Sequence, residues 1–316
     1  MIRFLLRRLG FALLAVWFIL TASFAIAHLI PADPARAAVG PHADARTLAQ
    51  ARAQMGLDRP VVVQYGRFLA HLARGELGRS FRTGRPIGPL LAERAWPTAQ
   101  LALATVLLEL LIGIPLGLWA ALRRQRALDW GIAAVTLAGQ CAPVFFLGPL
   151  LLYGLAYRWP LFPVGGYGDG GLARLYHLIL PALTLAVGGI AYSARLTRSE
   201  LGEALGEPFM RTARAKGLSP TAAALRHGLR NALGPVIALL GVELGGLLGG
   251  VILVESIFGW PGLGREAVVA LYSLDLPVVL GVVLVSAVAV ALANLLADLV
   301  HLVLDPRIRF DYTLRR

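Results

Sequence analysis

Six apolar stretches, each about as long as a lipid bilayer is thick, constrain what this chain can fold into. The hydrocarbon core of a bilayer is about 30 Å thick, and a helix needs about 20 apolar residues to cross it. In lipid the backbone must satisfy its own hydrogen bonds, so an apolar stretch of this kind crosses as a helix. Hydrophobic residues make up 57% of the 316 residues and charged ones only 15%, against about 25% charged in soluble domains. The sequence therefore predicts an all-α integral membrane protein with six transmembrane helices, near 9–30, 98–122, 131–157, 178–194, 232–258 and 278–304.

Basic residues between these stretches predict the orientation, because cytoplasmic loops carry the excess of arginine and lysine. The short loops after the third and fifth stretches hold only Arg158, Arg174 and Arg265. The loop at 31–97 holds ten arginines, but it is longer than the roughly 60 residues over which the charge rule applies. Both termini are therefore predicted to be cytoplasmic, together with the segments that contain Arg3, Arg7, Arg8, Arg123, Arg124, Arg126, Arg195, Arg198, Arg211, Arg214, Lys216, Arg226, Arg230, Arg307, Arg309, Arg315 and Arg316.

The long first outer loop has the pattern of a small helical domain. Residues 43–56 place Leu48, Ala51 and Met55 at helical spacing, and Gly56 is a stop signal. Residues 60–78 begin with a proline and continue as a second amphipathic helix with Tyr65, Phe68, Leu69 and Leu72 on one stripe. The predicted division of the chain is a cytoplasmic N-terminus with the first helix at 1–30, an external loop domain at 31–97, and a five-helix core at 98–316 with a cytoplasmic loop at 195–231.

Several function classes lack support in the composition. The net charge of +12 comes almost entirely from arginines at the ends of apolar stretches, whereas nucleic-acid-binding proteins gather charge on one face beside aromatic stacking platforms. The six histidines are scattered, without a metal-binding spacing. The single cysteine, Cys141, excludes an intrachain disulfide, and its apolar surroundings predict a buried thiol. The chain has no GxxxxGK[ST] loop for ATP phosphates.

One basic stretch, FMRTARAKGLSP at 209–220, carries explicit signals for two helices. Pro208 suits a first helical position, and Gly217 suits a left-handed C-terminal cap. Ser219 is an N-cap residue followed by Pro220 at the first position of a second helix. The stretch therefore predicts two short helices joined by a fixed bend, which we call the elbow (residues 208–220).

The side chains of the elbow allow two interpretations. It is either a solvated basic loop that marks the cytoplasmic side, or a docking element for a cytoplasmic partner. Small side chains at Ala213 and Ala215 permit close approach of a partner. Phe209 and Met210 are predicted to be exposed, and an exposed aromatic side chain suits a pocket in a partner. Two capped helices in a mere connection would be unexpected, which favours docking.

Residues 209–236, FMRTARAKGLSPTAAALRHGLRNALGPV, resemble the cytoplasmic loop of ABC-transporter permeases in the form typical of dipeptide and oligopeptide importers. Phe209 stands where that family usually has tyrosine, which removes one hydroxyl. The resemblance continues along most of the chain, so the chain is identified as a member of this family, of the type with a large first outer loop. The further matching segments are QMGLDRPVVVQYGRFLAHLARGELGRSF, PLFPVGGY, HLILPALTLA, VESIFGWPGLGR and DLVHLVLDPRIR.

The resemblance implies a type I ABC importer permease, which is a transport subunit and not an enzyme. It implies a second homologous permease, two cytoplasmic ATPase subunits that hold ATP and Mg, and an external substrate-binding protein, all at a bacterial or archaeal inner membrane. Dipeptides or oligopeptides are the expected substrates, with glutathione and nickel complexes as alternatives; this chain itself is expected to hold no cofactor or metal. The residues carried over as the ATPase-coupling element are Phe209, Met210, Arg211, Thr212, Ala213, Arg214, Ala215, Lys216, Gly217, Leu218 and Ser219.

Ionisable residues within the apolar stretches leave another function open. Glu109 and Glu243 lie deep in their stretches and are candidates for lining a polar pathway, as in a proton-coupled secondary transporter. Glu255, Asp298 and His301 lie near the ends of stretches, where they can reach water or cap helices.

A further alternative is an intramembrane aspartyl protease, because GYGDG at 166–170 contains the GxGD pattern of that class. That chemistry needs a second aspartate beside the first within the bilayer. Asp169 instead lies among glycines in a short outer loop, which predicts a turn.

Overall fold

The computed structural model describes residues 2–29, 33–40, 42–123, 131, 137, 139 and 141–304, and the side chains of these residues except at 2–5, 238–249, 297, 298 and 300–304. Within those ranges the regular structure is helical, apart from an isolated antiparallel bridge between Arg79 and Pro86. The all-α fold class is therefore confirmed. The helices are α1 (Ile2–Leu29), α2 (Pro34–Val39), α3 (Ala45–Met55), α4 (Val61–Ala73), α5 (Ile87–Leu108), π1 (Glu109–Gly113), α6 (Ile114–Arg123), α7 (Val144–Leu151), π2 (Leu152–Arg158), α8 (Gly171–Ala204), α9 (Pro208–Ala215), α10 (Pro220–Ala223), π3 (Ala224–Gly228), α11 (Leu229–Ile257), α12 (Leu263–Tyr272) and α13 (Leu276–Leu304).

Helices long and apolar enough to cross a bilayer correspond to four of the six predicted stretches in the described part of the chain. The third predicted stretch includes undescribed residues, and its described end forms the shorter apolar helix Val144–Arg158. The fifth falls in α11, where the side chains of 238–249 are not described. The count of six crossings therefore stays a prediction. The four helices are Leu6–Leu29, Ile87–Arg123, Gly171–Ala204 and Leu276–Leu296.

The chain divides into two compact units, and each is built from segments far apart in sequence. Unit 1 comprises the chain up to Ala99 together with Trp260–Ala291. Unit 2 comprises Gln100–Gly259 together with the chain from Leu292 onward.

In unit 1, the helices predicted at 43–56 and 60–78 form as the sequence predicts. Helix α3 ends at Met55, and Gly56 follows it with a left-handed φ of +69°. Helix α4 packs on the end of α1, where the ring centroid of Phe24 lies 5.2 Å from that of Tyr65 and 5.7 Å from that of Phe68. The hydroxyl of Tyr65 lies 2.6 Å from that of Thr21. The apolar stripe of α4 is thus the face that meets α1.

The core of unit 1 joins α5 to the last two helices of the chain. The indole Nε1 of the fully buried Trp260 donates to the carbonyl oxygen of Pro97 at 2.8 Å. A Cβ added at Gly281 would lie 2.9 Å from Cδ1 of Leu91, so α13 passes close to α5. The buried residues of this core are Ile87, Leu91, Leu263, Ala270, Val278 and Val282.

In unit 2, α8 packs against α6, π1, α7 and α11. Where α6 and π1 contact α8, glycines let the backbones of the helices approach each other closely. A Cβ at Gly117 would lie 2.5 Å from the carbonyl oxygen of Ala194 and 2.6 Å from Cβ of Thr197. A Cβ at Gly113 would lie 2.8 Å from Cβ of Ser193. Helix α6 is therefore tightly packed along α8.

Candidate coupling site

The elbow begins directly after the 34-residue helix α8. A tight turn links the two, with backbone hydrogen bonds from Gly206 N to Glu203 O at 3.0 Å and from Glu207 N to Ala204 O at 3.1 Å. Pro208 occupies the first turn of α9 as predicted. An N–H at that position has no acceptor within the helix, so a proline, which lacks the N–H, costs no hydrogen bond there. The connection between α8 and α9 is therefore short and hydrogen-bonded.

The predicted bend at Gly217 is present as a Schellman motif. Gly217 has a φ of +91° and donates its N–H to the carbonyl oxygen of Arg214 at 2.9 Å. Leu218 donates to the carbonyl oxygen of Ala213 at 3.3 Å, and its side chain packs on the apolar cluster beneath α9. This pair of bonds and the apolar contact define the motif. The positive φ explains why glycine stands at this position.

The second predicted helix also starts where expected. The hydroxyl of Ser219 accepts the N–H of Ala222 at 3.2 Å, and Pro220 follows at the first helical position. The helix is longer than predicted, because α10 continues through π3 into α11 as one helical run that ends at Ile257. The elbow thus connects two long helices without a flexible linker.

The inner face of α9 holds the elbow together. Met210 is fully buried, and it packs with Ala213, Ala223 and the partly buried Leu205 and Leu218. The prediction that Met210 is exposed is wrong, and Ala213 also faces inward. The eight-residue helix turns its apolar side toward α10 because burying it removes that surface from water.

The outer face of α9 is basic and open to solvent. Phe209 keeps 38% of its surface exposed, and Ala215 is exposed as well. In the described part of the chain, no carboxylate lies within 4 Å of the cationic groups of Arg211, Arg214 or Lys216. This face therefore presents three cations around one aromatic side chain. Of the eleven predicted coupling residues, those exposed are Phe209, Arg211, Thr212, Arg214, Ala215, Lys216, Gly217 and Ser219.

A cluster of buried residues from four helical segments anchors the elbow to the rest of unit 2. Its buried members are Ala121 of α6, Leu201 of α8, Ala224 of π3 and Ala232 of α11. A Cβ at Gly228 would lie 2.6 Å from Cδ1 of Leu201, so π3 closely approaches the end of α8. The helices on both sides of the elbow are therefore held against each other.

The structure describes the side chains of only some of the ionisable residues in the apolar stretches. Glu109 opens π1 and is 2% exposed. A Cβ at Gly189 would lie 2.2 Å from the Glu109 carboxyl group, so the missing side chain makes room for this carboxyl against α8. The side chains of Glu243, Asp298 and His301 lie outside the described residues. Glu255 is fully buried, so of the two expected roles, reaching water or capping a helix, the first is wrong.

The structure also locates the loop aspartate Asp169 and the single cysteine Cys141. Asp169 lies in an irregular segment with positive φ at Gly168 and Gly170, as the predicted turn requires. Cys141 is exposed, so the prediction of a buried thiol is wrong. No group of metal-ligating side chains occurs among the described residues.

Sequence reasoning missed one buried polar residue of unit 1, Asp275. It is 3% exposed and accepts hydrogen bonds from the hydroxyl of Ser80, from Phe81 N at 2.9 Å and from Arg82 N at 3.4 Å. The next residue back, Leu274, has a left-handed φ of +54°, which is uncommon for a residue with a side chain. A contact across 195 positions leaves no local pattern from which it could be predicted.

Comparison with known proteins decides the family. Residues 113–310 match the family "binding-protein-dependent transport system inner membrane component", and residues 1–102 match the N-terminal domain of the same kind of membrane component. The chain belongs to this family. It is 38% identical to the glutathione transport system permease protein GsiC of Salmonella paratyphi A over 98% of this chain and 100% of the relative. It is 36% identical to the dipeptide transport system permease protein DppB of Escherichia coli K12 over 98% of this chain and 99% of the relative.

Membership establishes what kind of molecule this is. The chain is a multi-pass inner-membrane permease subunit of an ABC importer, so its role is transport and not catalysis. Permeases of this family work with an ATPase, a substrate-binding protein and another permease. The predicted resemblance is thereby confirmed.

Proposed function

We propose that this permease moves short peptides inward across the membrane and receives the energy for this step through the elbow. The observation that carries the proposal is the exposed basic face of α9, mounted on a bend that is fixed by hydrogen bonds and by packing. A rigid element of this kind can pass a displacement on to the helices that flank it, whereas a flexible loop would absorb it.

The exposed face fits a cleft in a cytoplasmic ATPase subunit. Phe209 would enter an apolar pocket, while Arg211, Arg214 and Lys216 would orient the contact through acidic groups of the partner. The buried side of α9, with Met210, would keep the elbow from bending under load. ATP and Mg would be held by the ATPase subunits, since this chain has no phosphate-binding loop.

Movement of α9 would reach the membrane through two routes. One is the turn at 205–207 into α8, and the other is the continuous run from Pro220 to Ile257. Because α6 packs on α8 at backbone distance, it would move together with α8. The result would be exposure of the pathway alternately to the two sides of the membrane.

The full transporter would contain a second homologous permease, two ATPase subunits and an external binding protein. Both termini would be cytoplasmic, and six helices would cross the membrane. The first helix at 1–30, the external domain at 31–97 and the core at 98–316 would be the functional parts. The names of the two relatives point to small peptides, since one is a dipeptide permease and the other carries glutathione, itself a peptide.

A substitution at Gly217 tests the proposal. Gly217→Val places a β-branched residue at a φ of +91°, although a Cβ there meets nothing within 4 Å. The expected strain of about 1–3 kcal/mol disfavours the native bend by a factor of about 5 to 150. We expect ATP-dependent uptake of labelled dipeptide and glutathione to fall at least about fivefold, with normal amounts of the variant in the membrane.

Gly75→Val is the matched control, because Gly75 also has a positive φ of +75° and open space but lies in the outer loop. It should leave uptake near the wild-type level, and Gly217→Asn should restore part of it, since asparagine tolerates positive φ. Wild-type uptake in the Gly217→Val variant would contradict the proposal. Uptake that survives ATP depletion but stops when the proton gradient collapses would instead indicate a secondary transporter.

A further inference from the structure

Unit 1 contains a cavity of about 350 Å³ with an unusual concentration of arginine, which we call the arginine cavity. Its volume lies at the lower end of the range of small-molecule pockets, about 300–1,000 Å³. Arg82 and Arg85 come from the outer loop, Arg94 from α5 and Arg265 from α12. Glu266 and Asp275 are the two carboxylates that line it. Four guanidinium groups against two carboxylates leave a formal net charge of +2.

Both carboxylates are already engaged by other groups. Asp275 accepts hydrogen bonds from Ser80, Phe81 and Arg82. Glu266 forms an ion pair with Arg94, with 3.3 Å between Oε2 and Nε, although the angles are not those of a hydrogen bond from that nitrogen. The acidic groups of the cavity therefore stabilise its walls and do not neutralise the two arginines of the outer loop.

The two outer-loop arginines stand on a compact turn. Ser80 N donates to the carbonyl oxygen of Arg85 at 3.0 Å, and Thr83 N donates to the hydroxyl of Ser80 at 2.9 Å. The bonds to Asp275 fix the same turn to the junction of α12 and α13. Among the described residues, no carboxylate lies within 4 Å of the guanidinium of Arg82 or Arg85. The turn thus fixes the backbone of two exposed arginines, neither of which has a counter-ion within that distance among the described residues.

The lining also has an apolar part, which suits a ligand that is charged only at one end. Leu90, Val269 and Val278 contribute apolar surface beside the arginines. Gly262, the N-cap residue of α12, also lines the cavity and places the positive end of that helix there. A carboxylate with a short aliphatic part attached would find both guanidinium donors and apolar contact.

We propose that the arginine cavity binds the free carboxyl-terminal group of a short peptide. Arginine is suited to this task because its planar fork donates two parallel hydrogen bonds to one carboxylate. That the carboxylate belongs to a peptide rests on the proposed function. The same function requires the cavity to lie on the external side of the membrane. Arg82 and Arg85 hold the carboxylate, and the apolar wall contacts the last side chain.

The first test needs no variant. Binding of alanyl-alanine and of its carboxyl-terminal amide is measured by isothermal titration calorimetry on the full chain in lipid nanodiscs, without ATP. The amide keeps the size and the amino group but lacks the carboxylate charge. We expect the acid to bind at least tenfold more tightly, because charge-assisted hydrogen bonds are about twice as strong as neutral ones. Equal affinities, or no binding of the acid at millimolar concentration, would overturn the proposal.

The second test assigns the binding to these residues. Arg82→Ala combined with Arg85→Ala should weaken binding of the acid at least tenfold and leave the amide unchanged. Arg74→Ala removes an exposed arginine of the same outer loop that does not line the cavity, and it should bind like the wild type. Unchanged binding of the acid to the double variant would place the ligand elsewhere and refute the assignment.

Failure here and failure of the proposed function give different results. The binding measurement uses neither ATP nor an ATPase, so it does not depend on the elbow. The uptake measurement on Gly217→Val leaves the arginine cavity intact. Loss of the difference between acid and amide with normal ATP-driven uptake would remove only the present inference.

Discussion

The close packing of α6 on α8 predicts a defined stability loss for Gly117→Ala. A Cβ at this position would lie 2.6 Å from Cβ of Thr197 and 2.5 Å from the backbone carbonyl oxygen of Ala194. Non-bonded carbon atoms prefer separations of about 3.5–4.0 Å, so the new methyl group is about 1 Å too close. The backbone oxygen cannot turn away as a side chain could, and the two helices must separate.

The magnitude follows from a matched pair of glycines. Overpacking of this kind costs about 1–3 kcal/mol, while alanine in place of glycine within a helix stabilises by about 1 kcal/mol. Gly202 lies in α8, and a Cβ there meets nothing within 4 Å. Gly202→Ala therefore gains the same helix propensity without the clash. The difference in unfolding free energy between the two variants should equal the packing cost, about 1–3 kcal/mol.

Equilibrium unfolding of the purified chain in mixed micelles of dodecyl maltoside and sodium dodecyl sulfate measures this difference. Gly117→Ala should unfold at a lower fraction of sodium dodecyl sulfate than Gly202→Ala. If Gly117→Ala is as stable as Gly202→Ala, α6 and α8 do not touch at backbone distance, and the proposed joint movement of these helices loses its basis.

Two further predictions concern unit 1. Asp275→Asn removes a charged acceptor worth about 1.5–3 kcal/mol, so limited trypsin digestion should cleave after Arg82 about tenfold faster, whereas the exposed Asp58→Asn should not change the rate. A hydrogen bond from Arg52, at 2.5 Å, is the main cause that lowers the pKa of Asp33 below its ordinary value of 3.8. The stabilisation by this pair is therefore complete above about pH 3.8 and is lost as the pH falls through the lowered pKa in the folded state. At neutral pH the free energies of unfolding of the wild type and Arg52→Ala should differ by less than about 1 kcal/mol, because the pair is so exposed. Their melting temperatures should therefore differ at neutral pH and converge in acid. A difference in melting temperature that stays constant down to about pH 2 would contradict this.

The parts of the fold that were predictable from the sequence are those decided by neighbours in the chain. Gly56 and Gly217 end helices because a left-handed residue is needed there, and Ser219 begins one because its hydroxyl replaces a missing acceptor. These are local effects of backbone geometry. The amphipathic stripe of α4 was predictable for the same reason, since its period alone marks the face that meets α1.

The parts of the fold that could not be predicted depend on tertiary contacts between residues of different helices. The inward position of Met210 is set by Ala223, which lies on the next helix. The room for the Glu109 carboxyl depends on Gly189, 80 positions later. Asp275 and Ser80 meet only once both ends of unit 1 are folded together. In helices as apolar as Leu6–Leu29 and Leu276–Leu296, periodicity does not indicate which neighbour a face will meet.

The clamp of Asp275 on the turn at 80–85 has a consequence for the order in which the protein is made. The turn leaves the ribosome 195 residues before the carboxylate that fixes it, which corresponds to roughly 10–40 s of synthesis at about 5–20 residues per second. During that interval the amides of Phe81 and Arg82 lack the acceptor that they have in the finished protein. The turn can therefore complete its hydrogen bonds only after residue 275 has been made, and a nascent chain stopped before residue 275 should expose this turn to proteases.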